Sequence, residues 1–213
     1  MSAAVKKAEY MTILSGNRLV SKSEPRIAFR GLIDILEAEV IEAQVLAAGG
    51  ARGPVEGGPV AEEAVEREFT NYLGEILAYL RDIMAAEVKE TPLKPPFLFG
   101  MDEEEIHRRS HNAGGKTLQL PSYTQGALAA RINTLRAKVR EAELLAVKVF
   151  GPGEGGAEES GDDGSKGAHS GSGEGGAPKG SGAEREDIIL GLNRLSSALW
   201  WLFCEFLSRT NRS

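Results

Sequence analysis

The chain has 213 residues, 41% of them hydrophobic, and this size and composition favour a single domain with a sizeable buried core. The formal net charge of −6 argues against a general nucleic-acid-binding protein, which would carry a basic surface. The single cysteine, Cys204, excludes an internal disulfide and fits a reducing, cytoplasmic environment. The sequence contains no signal-peptide pattern and no apolar run of the roughly 20 residues that a membrane helix needs.

Apolar residues at helical spacing predict five helices and almost no strand. The predicted helices cover about residues 24–48, 60–88, 102–111, 123–150 and 186–207. Ser23 is the expected N-cap of the first helix, and acidic residues open the second and the third, as suits a helix N-terminus. Four long amphipathic helices and a short one predict an all-α protein, folded as an up-and-down helical bundle.

A Gly-rich segment over residues 151–183 separates the last two predicted helices. Its composition of glycine, serine and acidic residues cannot bury apolar surface, so we expect a flexible insertion at the surface. The expected organisation is therefore one helical domain over residues 1–213, with this insertion at one end.

The stretch LSGNRLVSKSEPRIAFRG, residues 14–31, passes from a short turn through a basic segment into the first helix. The backbone around Ser15 and Gly16, with Arg18 and Lys22 nearby, is suited to wrapping a polyphosphate. The stretch does not match GxxxxGK[ST] and follows no predicted strand, which excludes a P-loop NTPase. Taken alone, it is equally well explained as a basic approach to a well-capped helix.

Charged residues border the apolar faces of the first and fourth predicted helices. Arg26 and Asp34 fall on one strip of the first helix, and Arg136, Arg140 and Glu143 fall on one strip of the fourth. Two arginines four residues apart can hold a carboxylate or a phosphate with paired donors. The alternative is structural: a solvated edge with i,i+4 pairs, or an ion pair between the two helices such as Arg136 with Asp34.

Two further pairs of polar residues are candidates. Asn193 and Arg194 precede a strongly apolar run, and a buried asparagine amide must be bound either to backbone or to a ligand. His107 and His111 have the i,i+4 spacing that can chelate a metal. Because a third ligand is not evident, surface histidines are the favoured interpretation of the second pair.

Together these segments resemble the ATP:cob(I)alamin adenosyltransferases, with more similarity to the ethanolamine-utilisation type than to the propanediol-utilisation type. The resemblance is carried, in the family's order, by MTILSGNRLVSKSEPRIAFRGLID, DEEEIHRRSHN, INTLRAKVREAELLAVKVF and DIILGLNRLSSALW. It implies a helical bundle, usually a homotrimer, with ATP and corrinoid at subunit interfaces. It further implies transfer of the 5′-deoxyadenosyl group of ATP to the cobalt of reduced cobalamin, with release of triphosphate and with Mg²⁺ accompanying ATP.

The resemblance also implies roles for individual residues. The implied ATP-binding residues are Thr12, Ser15, Gly16, Arg18, Lys22, Arg26, Glu143, Asn193 and Arg194. The implied catalytic residues are Arg140, Arg136 and Asp34, of which Asp34 and Arg136 match a pair that bridges subunits in relatives. The aromatic residue that displaces the lower cobalt ligand in relatives falls near Leu118, so Leu118 or the nearby Tyr123 is expected to contact cobalamin.

The sequence departs from the family in its metal motif and in its insertion. The Cys-rich metal motif of the ethanolamine type has no counterpart here, so no protein-bound metal is expected, although His107 and His111 match that type's HRxSH. Association with a microcompartment is left open. One alternative is a catalytically inactive bundle that acts as a binding or scaffold protein. A metal-storage bundle is a weaker alternative, because Glu104 and His107 form a single ExxH pair.

Overall fold

The computed structural model describes residues 8–16, 18–49, 60–113, 120–152 and 184–210. In these ranges the helices are α1 Pro25–Ala47, α2 Val60–Lys89, α3 Glu103–Asn112, α4 Ala127–Phe150 and α5 Glu186–Thr210, preceded by the strands β1 Met11–Ile13 and β2 Leu19–Ser21. The predicted all-α helical bundle is confirmed. No described helix is long and apolar enough to cross a membrane. Residues 153–183, almost all of the Gly-rich insertion, lie outside the described ranges.

Local chemistry explains where α1 and α3 begin. Pro25 occupies the first turn of α1, where its fixed φ suits a helix and its missing N–H leaves no intrahelical bond unmade. The predicted N-cap is wrong by one residue, because Glu24 holds that position and the Ser23 hydroxyl is instead hydrogen-bonded to the Ser21 hydroxyl (2.8 Å). At α3 the Asp102 carboxylate accepts a hydrogen bond from a backbone N–H of the first turn (2.9 Å).

The helix α4 begins later than predicted. The expected start, Tyr123, lies in a 3-10 turn over Tyr123–Gln125, whose N-cap Ser122 forms a reciprocal capping box with the last residue of the turn. Gly126 then adopts a φ of 89°, which favours glycine, and separates the turn from α4. Tyr123 therefore belongs to the turn and not to α4, and it is 91% exposed.

The N-terminal stretch is a β-hairpin, where the sequence predicted almost no strand. The strands β1 and β2 pair antiparallel, with Thr12 opposite Val20 and Ile13 opposite Leu19. This register buries Val20, whereas Ile13 and Leu19 remain about half exposed on the other face of the hairpin. Each strand has only 3 residues, too few for a period-2 pattern to be recognised in the sequence.

Contacts at one end of the bundle, which we call the hairpin end, show which terminus of each long helix lies there. There Arg26, in the first turn of α1, contacts Glu87 near the end of α2 and lies 6.0 Å from the ring centroid of Phe150 at the end of α4. The N–H of Arg185, just before α5, donates to the carbonyl of Phe150 (3.2 Å). The packed pairs α1–α2, α1–α4, α4–α5 and α2–α5 are therefore antiparallel, and α3 packs on α5. This is the up-and-down arrangement that the sequence predicts.

One core cluster joins all five helices, and most of its members lie on their apolar stripes, with Leu93, Leu98 and Met101 added from the connection between α2 and α3. Phe29 meets the ring of Phe150 edge-on, with ring centroids 5.2 Å apart, and so connects α1 to α4. The helices α5 and α2 approach closely at Gly191, where a Cβ would lie 2.6 Å from the Tyr79 hydroxyl. A larger residue at Gly191 would have to displace the side chains of Tyr79 and Leu93.

Candidate functional site

The hairpin carries many of the residues predicted to bind ATP. These are Thr12 in β1, Ser15, Gly16 and Arg18 in the turn, and Lys22 just after β2. The N–H of Arg18 donates to the Ser15 carbonyl (2.9 Å), and Gly16 adopts a φ of 52° that closes the turn. The side chains of Arg18 and Lys22 are exposed. The hairpin therefore presents two cations beside a tight turn, as a polyphosphate site requires. We call these residues, with Arg26, the hairpin group.

The guanidinium of Arg26 is held by two carboxylates, Glu87 near the end of α2 and Glu90 just after it. Its Nε donates to Oε1 of Glu87 (2.6 Å), its Nη2 to the Glu87 carbonyl (3.2 Å) and its Nη1 to Oε1 of Glu90 (3.0 Å). Burial works to lower the pKa of Arg26, but the hydrogen bonds from Glu87 and Glu90 outweigh it, and the pKa is raised. Arg26 is therefore fully charged and fixed in orientation beside the hairpin.

Glu87 is a residue that the sequence analysis missed. Its side chain is 0% exposed, and its second carboxylate oxygen accepts from Nε of Arg30, so one carboxylate serves two arginines of α1. Nη2 of Arg30 is buried without a hydrogen-bond partner among the described residues. The local sequence AAEVKE does not distinguish a carboxylate facing α1 from a solvated one, so only the packing of α1 on α2 reveals this cluster.

A second set of predicted residues meets between α4 and α5. Nδ2 of Asn193 donates to Oε1 of Glu143 (2.9 Å), and Nη1 of Arg194 donates to Oδ1 of Asn193 (2.7 Å). Nε of Arg194 also lies 3.5 Å from Oε1 of Glu103 at the start of α3, a partner that the sequence analysis did not identify. The Asn193 amide is thus bound by side chains of the protein, and the chain Glu143–Asn193–Arg194–Glu103 connects three helices.

Arg136 and Arg140 lie one turn apart on α4, beside this network. The guanidinium of Arg136 lies 5.4 Å from the ring centroid of Trp200, and its Nε is buried without a hydrogen-bond partner among the described residues. Burial, and then the charge of Arg140, lower the pKa of Arg136. Arg140 is exposed. Burial raises the pKa of the nearby Cys204 thiol to about 11, so this thiol is uncharged at neutral pH.

We call the surface formed by Arg136, Arg140, Glu143, Asn193, Arg194 and Trp200 the α4–α5 groove. In the described parts of the chain, neither Arg136 nor Arg140 has a carboxylate within ion-pair distance. Two positive charges without carboxylate partners among the described residues are therefore present in this groove, next to the Glu143–Asn193–Arg194 network. A bound anion would be stabilised by these charges.

Asp34 lies away from the α4–α5 groove, on the outer face of α1. Its side chain is exposed, and no ion pair with Arg136 forms within the described chain. Its neighbours on this face include Ile41, which is 45% exposed, and Val45, which is 55% exposed. The intrachain Asp34–Arg136 pair considered in the sequence analysis is therefore not formed, and a pair between subunits stays a prediction.

Of the two residues predicted to contact cobalamin, Leu118 lies outside the described ranges. Tyr123 stands in the turn before α4, where it is almost fully exposed. His107 and His111 are both exposed on α3, with ring centroids 4.5 Å apart. No cluster of three or more potential metal ligands occurs among the described residues. The contact between these positions and a corrinoid or metal stays untested.

Most of the predicted site residues thus fall into two sets, the hairpin group and the α4–α5 groove, and Asp34, Leu118 and Tyr123 belong to neither. No hydrogen bond or ion pair between described residues connects the two sets. The hairpin group packs on the α1–α2 side through Arg26, whereas the groove faces outward between α4 and α5. Each set offers cations, but the two are not brought together by a direct contact.

Comparison with known proteins places these residues in context. A family model described as cobalamin adenosyltransferase matches residues 6–206. Corrinoid adenosyltransferase EutT of Salmonella typhimurium is 32% identical over 149 residues, which make up 68% of this chain and 49% of the relative. The protein of the same name from Escherichia coli K12 is 30% identical over 148 residues, with the same coverage of 68% and 49%. The resemblance detected in the sequence is confirmed. The chain spans about half the length of the curated relatives it matches, and no solved structure matches it.

Proposed function

This chain belongs to the cobalamin adenosyltransferase family, and from that premise we propose that it transfers the 5′-deoxyadenosyl group of ATP to the cobalt of a reduced corrinoid. The products are adenosylcobalamin and triphosphate. The observation that supports this activity most strongly is the α4–α5 groove, where Arg136 and Arg140 lie together without carboxylate partners in the described chain. The printed names of the relatives, both corrinoid adenosyltransferases, support the same activity.

The chemistry needs few groups from the protein. Cobalt(I) is itself the nucleophile: its electron pair forms the bond to C5′ of ATP while the C5′–O bond breaks and triphosphate leaves with that bond's electrons. No general base or acyl-enzyme step is required. The protein must hold C5′ near the cobalt and stabilise the charge that develops on the leaving triphosphate. We assign the second task to Arg140, which is exposed in the groove, with Arg136 beside it.

The hairpin group is proposed to bind the triphosphate. Arg18 and Lys22 are exposed at the turn, and Arg26 is held in a fixed orientation beside them. Glu143, Asn193 and Arg194 are proposed to contact the nucleoside part of ATP, since their network is fixed before any ligand arrives. Mg²⁺ would enter with ATP, because phosphate oxygens are its usual ligands at nucleotide sites.

Water must be kept from the strongly reducing cobalt(I) state. The ring of Trp200 already covers one side of Arg136 in the groove. The segment from Leu118 to Tyr123 precedes α4, and we propose that it covers the corrinoid, with Tyr123 available for this role because its side chain is almost fully exposed.

The active assembly is proposed to be a homotrimer with its sites between subunits. Within one chain the hairpin group and the α4–α5 groove share no hydrogen bond or ion pair among the described residues. Asp34 stands exposed on a face of α1 that also exposes Ile41 and Val45, as a helix face covered by a second copy would. A neighbouring copy would then supply Asp34 to Arg136.

The activity is tested by mixing the purified protein with ATP, Mg²⁺ and chemically reduced cobalamin under anaerobic conditions. We expect the absorbance of cob(I)alamin to be replaced by that of adenosylcobalamin, with one triphosphate released per cobalamin converted. A reaction without ATP is the control. Lack of conversion together with lack of ATP binding in calorimetry would support the alternative, an inactive bundle that acts as a scaffold.

A further inference from the structure

We propose that Glu90 is an internal competitor for the triphosphate: its carboxylate occupies the position beside Arg26 where a phosphate binds, and the triphosphate displaces it. This inference rests on the proposed function, because it takes the hairpin group to be the triphosphate site. It assigns to the residue that follows α2 a part in setting how tightly ATP and the leaving triphosphate are held.

The three nitrogens of the Arg26 guanidinium have different partners. Nε and Nη2 are bound to the side chain and the carbonyl of Glu87, at 2.6 and 3.2 Å. Nη1 is bound to Glu90 at 3.0 Å. The side chain of Glu87 is 0% exposed, whereas that of Glu90 is 54% exposed. Glu87 therefore cannot leave without abandoning two arginines in the interior, but Glu90 can turn into solvent at little cost.

Glu90 faces the hairpin group with the donors expected for a phosphate. The hydrogen bond and charge of Arg26 lower the pKa of Glu90, and Ser15 and Arg18 lower it further. The hydrogen-bonded partner of Glu90 among the described residues is therefore Arg26, a residue that the family resemblance assigns to ATP binding. Because a carboxylate and a phosphate oxygen compete for the same donors, both cannot use the full set at once.

The backbone of Glu90 gives a second, independent observation. Its φ is 55°, in the left-handed region that favours glycine at the C-terminus of a helix. The N–H of Thr91 donates to the Ala86 carbonyl (3.0 Å), which completes the usual helix-ending bond at this position. A glutamate is therefore present where glycine would be less strained, and strained residues often cluster at ligand-binding positions.

The test measures binding of inorganic tripolyphosphate by calorimetry at fixed ionic strength. Glu90→Gln removes the charge and keeps the shape, whereas Glu90→Gly removes the side chain and relieves the backbone strain. We expect both variants to bind tripolyphosphate about two- to fivefold tighter than the parent, the range that loss of an exposed ion pair allows. Glu37→Gln is the matched control, because Glu37 also joins α1 to α2 through a surface pair, with Arg81 (3.2 Å), away from the hairpin.

The outcomes separate this inference from the proposed function. Equal affinity of the Glu90 variants and Glu37→Gln for tripolyphosphate would overturn the inference, even if the parent converts cobalamin normally. Tighter binding by both Glu90 variants supports it, even if the parent shows no adenosyl transfer, in which case only the proposed function fails. Absence of tripolyphosphate binding by the parent and by all variants would overturn the inference as well.

Discussion

The arginines of α1 and those of α4 occupy opposite electrostatic situations. Arg26 and Arg30 of α1 share the fully buried carboxylate of Glu87. Arg136 of α4 is also partly buried, yet it lies against an aromatic ring and beside another arginine, with a lowered pKa. In the described chain no carboxylate neutralises Arg136 or Arg140.

This difference separates charges that fix the fold from charges that await a ligand. A buried ion pair satisfies its members within the chain, so it orients side chains but attracts nothing further. A cation that is partly desolvated and lacks a counter-charge is unfavourable until a substrate or a second chain supplies one. Under the proposed function, the positive charges of the α4–α5 groove would therefore stabilise a bound anion, either the leaving triphosphate or the carboxylate of a neighbouring subunit.

The largest effect is expected at the α1–α2 cluster. Glu87→Ala leaves Arg26 and Arg30 buried without their carboxylate, and we expect a loss of about 3–5 kcal/mol in the free energy of unfolding. Urea denaturation followed by circular dichroism measures it. A loss below about 1 kcal/mol would mean that the two arginines find other partners and that the comparison with α4 does not hold.

The next effect concerns assembly. Asp34→Arg and Arg136→Asp each place like charges where the proposed subunit pair forms, and each should weaken association by about 2–5 kcal/mol. The double variant, with the charges exchanged, should recover the assembly. Light scattering over a concentration series reads out the oligomer, with Lys148→Glu, an exposed charge reversal on α4, as the control. Single variants that assemble like the parent would exclude the proposed pair.

An intermediate effect is expected from the half-buried pair of Arg185 and Asp187. Burial works to raise the pKa of Asp187, but Arg185 and the N–H of Leu93 outweigh it, and the pKa lies below its ordinary 3.8. Because the folded pKa is lowered, this carboxylate stabilises the fold above about pH 4, and the contribution fades as pH falls through the folded pKa. Asp187→Asn should cost about 1–2 kcal/mol at pH 7.

The pH dependence gives the check on Asp187. The free energy of unfolding of Asp187→Asn and of the parent should differ most near neutral pH and converge below the folded pKa of Asp187. A difference that stays constant down to about pH 3 would assign the loss to packing or to the neutral hydrogen bonds of Asp187 instead of its charge.

The smallest effect is expected at the pair of the partly buried Glu37 and the exposed Arg81, with Oε2 and Nε 3.2 Å apart. Because solvent screens the exposed Arg81, the pair contributes little, so Glu37→Gln should lower the free energy of unfolding by less than about 1 kcal/mol. The same denaturation experiment tests it. A larger loss would show that the burial of an ion pair does not determine how much it contributes to the free energy of unfolding.

The sequence was sufficient to predict the bundle, because apolar residues such as Phe29, Ile33 and Val40 repeat at helical spacing and all became core. It was not sufficient for the hairpin, whose strands are too short to display alternation, or for the start of α4, where the Ser122 capping box competes with the helix. Local hydrogen bonds determine where such elements begin, and the spacing of apolar residues contains no information about these bonds.

The residues of the candidate site also divide into those that the sequence could predict and those that it could not. Glu143, Asn193 and Arg194 were candidates from helical spacing and sequence context, the family resemblance implied their role in ATP binding, and the structure places them in one hydrogen-bonded network. Glu87 and Glu103 were missed, since each meets its arginine from a distant part of the chain. A carboxylate that pairs across helices has no local pattern, so only tertiary packing can reveal it.

The central claim is the proposal that the arginines of the α4–α5 groove stabilise the leaving triphosphate, and single-turnover conversion of cob(I)alamin tests it most directly. Arg140→Ala should react at least about a hundredfold more slowly than the parent with an unchanged unfolding transition, because it removes charge stabilisation of the leaving triphosphate. Arg81→Ala, which removes an exposed and paired arginine, should react within about twofold of the parent. An Arg140→Ala variant as fast as the parent would contradict the assignment of the α4–α5 groove as the active site.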